Sequence, residues 1–124
     1  AGPGGSPPGG PRVQSDRGIR YVSGGVGEGE RAELDALSNQ FNLRLLFAMQ
    51  GNGEYLSAVR VNIRDARGET VLTAESKGPW FFAQLAPGNY TVEASVSGQA
   101  QQQPKRQTVR IGGSRQSRLD FRWR

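Results

Sequence analysis

A chain of 124 residues with a formal net charge of +5 has room for one domain and one core. It holds no His and no Cys, which removes the side chains most used to bind metals, run redox chemistry and activate nucleophiles. No stretch reaches the roughly 20 apolar residues that a spanning helix needs, so the chain is not read as membrane-spanning.

Residues 1–18 contain six Gly and four Pro and hardly any apolar side chain. Ordering them would cost entropy that no burial offsets, so they are expected to form a disordered tether. A Gly/Pro-rich spacer following an initial Ala in place of Met reads as the remainder of an exported chain, periplasmic or secreted. Ile19-Arg20-Tyr21-Val22 is a short extended segment that ends in Ser23-Gly24-Gly25-Val26-Gly27, a flexible connection. From Glu28 to Phe41 the pattern is helical, with Leu34, Leu37 and Phe41 on one face and Glu28 and Glu30 near the positive end of the dipole. Residues 19–41 are therefore expected to pack on the domain formed by residues 42–124.

From Asn42 the period changes to two. Leu43, Leu45, Phe47 and Met49 alternate with their neighbours up to a turn at Gly51-Asn52-Gly53. Val59, Val61 and Ile63 form the next strand, Asp65-Ala66-Arg67-Gly68 a hairpin loop, and Val71 to Ala74 the return. A short strand from Phe81 to Leu85 leads to a turn at Ala86-Pro87-Gly88, after which Tyr90, Val92, Ala94 and Val96 share one face. A final hairpin is expected from Gln107–Ile111 and Arg115–Trp123, joined at Gly112-Gly113-Ser114. Seven strands with regular turn signals predict a mostly β fold, an antiparallel two-sheet sandwich with one short N-terminal helix.

The Asp65-Ala66-Arg67-Gly68 loop, the run Leu85-Ala86-Pro87-Gly88-Asn89-Tyr90-Thr91-Val92 and the alternating closing strand resemble the carboxypeptidase regulatory-like domains, which are transthyretin-like sandwiches. The resemblance covers residues 42–123. The segment from Tyr21 to Glu28, the helix after it and Asn42-Leu43 look like uncharacterised exported proteobacterial proteins carrying that domain. The resemblance implies a non-catalytic structural or protein-interaction module in the bacterial cell envelope. It supplies no catalytic residue.

Candidate chemistry is sparse. The glycines from 24 to 29 miss the spacing of a dinucleotide loop, and Glu28 and Glu30 would repel phosphate. Asp65, Glu69 and Glu93 read as loop and surface carboxylates, no calcium-loop pattern occurs, and Asn89-Tyr90-Thr91 reads as a structural turn exit. Serines lack a His base, with only Lys77 and Lys105 as substitutes. No enzyme activity, metal or cofactor is expected.

Two surface candidates are left. Trp80-Phe81-Phe82 is the densest aromatic cluster, and since strand neighbours face opposite ways, either a second layer covers Trp80 and Phe82 or they form a recognition surface. From residue 101 onward seven Lys/Arg stand against the single Asp120. In the expected final hairpin Arg110, Arg118, Arg122 and Arg124 share an outer face that suits a protein or an anionic envelope component, carbohydrate included. The same arginines also read as a charged edge that discourages aggregation. No stacking aromatics lie among them, so sequence-specific nucleic-acid binding is not expected.

Overall fold

The computed structural model describes residues 13–25, 28–49, 59–96, 104–112 and 115–123. The expected tether through residue 12, the turn at Gly51-Asn52-Gly53 and Arg124 lie outside the described residues. The fold is mostly β, with one helix, α1 (Glu28–Leu37), continued by a 3-10 turn at Ser38–Gln40. Nine strands occur among the described residues: β1 (Gln14–Asp16), β2 (Ile19–Gly24), β3 (Leu43–Met49), β4 (Val59–Asp65), β5 (Thr70–Ser76), β6 (Trp80–Ala83), β7 (Gly88–Val96), β8 (Lys105–Ile111) and β9 (Ser117–Trp123). The expected count was seven. The two additional strands lie at the start, where Arg17 and Gly18 turn the chain at φ 54° and 83° and pair Gln14 with Tyr21. Strand β1 thus occupies part of the stretch whose composition suggested a tether.

Five strands form one sheet in the order β1-β2-β6-β3-β9, and four form the other in the order β5-β4-β7-β8. Every pairing is antiparallel except β3 with β9, which run parallel with Leu43 opposite Ser117 and Phe47 opposite Phe121. The expected final hairpin is therefore corrected. Strands β8 and β9 do not pair; they end up on different sheets. Their apolar residues still enter one core, since Ile111 reaches it from the four-stranded sheet and Phe121 and Trp123 from the five-stranded one.

That core joins Leu43, Leu45, Phe47 and Phe81 to Val59, Val61, Ile63, Leu72 and Val92 across the two sheets. Turn chemistry sets its corners. Asp65 Oδ1 accepts from the backbone N–H groups of Arg67 and Glu69 at 2.9 and 3.0 Å, with Gly68 at φ 86°. At the next turn the Tyr90 hydroxyl donates to the Ala86 carbonyl at 2.7 Å, tying strand β7 back to its own entry. The Asn42 amide bonds both the N–H and the C=O of Leu85, at 2.9 and 2.7 Å, and so stands in for a ladder rung at the end of β3.

A smaller cluster lies on the opposite face of the five-stranded sheet. There Leu34 of α1, with Phe41, packs on Val22 of β2 and Phe82 of β6, and Leu37 and Trp80 border them. The helix seats closely because Gly25, buried at φ 99°, donates its N–H to Glu30 Oε1 at 2.6 Å, and because a side chain on Gly24 would overlap that of Glu30. Gly24 and Gly25 are packed here, which corrects their reading as a flexible connection; Val26 and Gly27 lie outside the described residues.

The helix face expected from the sequence is the one in contact, although Leu37 is only half-buried while Leu34 is fully buried. Leu34→Ala should therefore destabilise the fold by about 2–5 kcal/mol, the usual cost of truncating a buried leucine. Urea denaturation would measure it, and a loss of under about 0.5 kcal/mol, typical of surface positions, would mean that α1 is not anchored on the sheet.

Candidate functional site

The outer face of the five-stranded sheet changes character across its width. In one row of the register Val22, Phe82, Arg44 and Arg118 follow one another across β2, β6, β3 and β9, and in the next row come Gly24, Trp80, Leu46 and Asp120. Helix α1 covers the β2–β6 side, so Phe82 is buried and Trp80 half-buried. The expected second layer over the aromatic cluster is thus present, and it excludes Phe82 as an exposed contact residue. Beyond the helix the same face opens into a shallow depression of about 160 Å³ lined by Arg44, Leu46, Trp80, Arg118 and Asp120.

Arg44 is the residue that the sequence reading missed. Its guanidinium carbon sits 4.9 Å from the Phe82 ring centre and 5.5 Å from that of Trp80, so the aromatic cluster serves as its platform. Burial, and then the positive charge of Arg118, lower its pKa from the ordinary arginine value, while Asp35 on α1 acts the other way. Neither Arg44 nor Arg118 forms an ion pair among the described residues. Arg122, opposite Ala48 in the register, lies 3.9 Å from Asp120 Oδ2 in a pair whose two side chains are both more than half exposed.

Arg110 belongs elsewhere. It faces Asn89 on the outer side of the four-stranded sheet, so the expected grouping of Arg110 with Arg118 and Arg122 is corrected: β8 and β9 occupy different sheets, and alternation within each strand does not make their outer faces one. Arg110 instead shares a face with Arg60, Arg64 and Arg106, among Asn62, Thr91 and Thr108. Glu93 sits in the middle of that face. Its Oε2 accepts from Arg106 Nε and Nη2 at 3.1 and 2.7 Å, and its Oε1 is 3.7 Å from Arg64. Glu93 thus offsets part of the charge of this face, at Arg64 and Arg106, while Arg60 and Arg110 form no ion pair among the described residues.

Among the described residues no three carboxylates gather in a group able to hold a metal ion, and no helix is long and apolar enough to cross a membrane. No family model matches the chain, and no curated protein matches it.

The hydrogen bonds from Arg106 hold the Glu93 carboxyl below its usual range, against a smaller opposing effect of burial. A depressed carboxyl contributes stability above the unfolded-state value, about 4.3 for Glu, and loses it as the pH falls through the folded value. Glu93→Gln should flatten the pH dependence of stability below about pH 4.3. Urea midpoints from pH 2 to 6 would test this, with an unchanged acid limb counting against the pairing.

Proposed function

We propose that the chain is a non-catalytic binding module of the bacterial cell envelope, a β-sandwich of the carboxypeptidase regulatory-like type that holds an anionic partner on the outer face of its five-stranded sheet. The observation that carries the binding reading is the adjacency of Arg44 and Arg118 on neighbouring strands, with no carboxylate paired to either among the described residues. Like charges side by side on a sheet destabilise it, and a bound anion relieves that repulsion. The sandwich reading is supported by two sheets that bury one common core. The non-catalytic reading rests on a sequence without His or Cys, and the exported location on the resemblance.

The partner is a protein or another anionic envelope component, and binding is electrostatic at first contact. Retention of the protein on an immobilised acidic polymer should therefore fall steeply between low and physiological salt, because exposed charges are screened over about 8–10 Å. The double variant R118Q/R122Q should lose most of that retention while its thermal midpoint stays near the parent's. R110Q, on the other sheet, should retain it. Loss caused by R110Q with R118Q/R122Q unaffected would place the interaction on the four-stranded sheet and overturn the reading.

A further inference from the structure

We propose that the depression between Arg44 and Arg118 is a carboxylate site and that its ligand is an acidic side chain, Glu or Asp, of a partner polypeptide. The proposal rests on the anion-binding reading of this face and names the ligand class. Four features of the site select that ligand.

First, Arg44 and Arg118 are partners in the parallel register of β3 and β9, whose backbones lie about 4.8 Å apart, and both side chains line the depression. Two arginines that line one depression can share a single carboxylate, each offering N–H donors that match its oxygens. Second, Arg44 is positioned in advance. Its seat over Phe82 and Trp80 restrains a side chain that would otherwise lose rotamer freedom on binding, which lowers the entropic cost of each bond.

Third, Asp120 lines the same depression and its nearest cation is Arg122, at 3.9 Å. Its negative charge opposes a phosphate dianion more than a carboxylate monoanion. Fourth, the aromatic part of the depression is already engaged. The Trp80 ring carries Arg44, and the Gly25 backbone packs so closely that a Cβ there would sit 3.3 Å from the indole Cγ. A sugar ring seeking an aromatic face finds none free, whereas the short methylene stem of Glu fits against Leu46 in a space of about 160 Å³.

The test uses the chain as given and three probes of similar length: a poly-glutamate peptide, oligogalacturonate and polyphosphate. Trp80 at the rim gives an intrinsic fluorescence signal, while Trp123, the other tryptophan, is buried in the core. Poly-glutamate should bind most tightly. R118Q should weaken it by at least about tenfold, as expected for loss of a charge-assisted hydrogen-bond pair. R44K, which keeps the charge but not the fork and is a milder change than R44Q for the packing, should weaken it by about as much. R110Q should leave it within about twofold, as a distant surface change.

Several results would overturn the proposal. Tighter binding of polyphosphate at the same arginines would leave the anion-binding reading standing and remove the carboxylate assignment. Preference for oligogalacturonate, likewise lost in R118Q, would replace the acidic peptide with an acidic sugar. Full poly-glutamate affinity in R44K and R118Q, both still folded by near-UV circular dichroism, would show that the depression is not the site. Absence of binding by all three probes would remove the anion-binding reading itself.

Discussion

Strand β6 must be buried on both faces, and much of the molecule follows from that constraint. Its four residues are Trp80, Phe81, Phe82 and Ala83, and period-two geometry sends Phe81 and Ala83 into the shared core and the other two outward. Two adjacent aromatic rings that face opposite ways cannot both be sheltered by one pair of sheets. Helix α1 supplies the missing layer, with Leu34 and Phe41 against Phe82. Burying a side chain of this size is worth about 1.5–3 kcal/mol, so β6, the helix and β2 stabilise one another. The close approach of Gly24 to Gly78 and the bond from Gly25 to Glu30 are the local geometry that this layering requires.

The sheet edges raise the opposite problem, since an edge strand presents unpaired N–H and C=O groups to solvent. Here side chains from one sheet satisfy backbone groups on the other. On one side Gln107 of β8 donates to the Asp120 carbonyl at 2.6 Å, and Ser117 of β9 donates to the Arg110 carbonyl at 3.2 Å. On the other side Arg17 donates to the Thr70 carbonyl at 2.9 Å and the Lys77 N–H donates to Ser23 Oγ at 3.0 Å. These bonds tie the two sheets together without a continuous ladder.

Alternation within a strand could be read directly from the sequence, because it depends only on the chain's own period. The inward faces of β3, β4 and β7 and the inward position of Leu34 on the helix follow from it, and the buried clusters contain them; Phe41 joins them from an extended position beyond the helix. Which sheet a strand joins depends on partners far away in sequence, and alternation carries no trace of it. Val109 and Ile111 fit a core as well from one sheet as from the other, so β8 and β9 read as a hairpin although they lie on different sheets. Strand β1 was hidden by a different effect: Gly and Pro dominate the composition of residues 1–18, yet Arg17-Gly18 makes a tight turn inside that stretch. Arg44 was hidden because its aromatic platform comes from β6, some forty residues later. A signal did exist in Leu46 and Ala48, apolar residues on the outward face of β3, which mark a face that is not wholly solvated.

The two basic faces differ in how their charge is balanced, and this difference decides which of them is suited to a ligand. On the four-stranded sheet Glu93 lies between β4 and β8 and bonds to Arg106 while approaching Arg64, so these two adjacent arginines already share a carboxylate. Exposed pairs of this kind add little stability, typically under about 1 kcal/mol, but they lower the attraction that the face has for an anion. On the five-stranded sheet the carboxylate is displaced: Asp120 sits beside Arg122, one row away from Arg44 and Arg118. Partial burial of Arg44 weakens the screening by water and strengthens both its repulsion from Arg118 and its attraction for an incoming anion. The aromatic layer that shelters β6 thus also creates, at its margin, a place where two positive charges with no ion-pair partner among the described residues act together on a ligand.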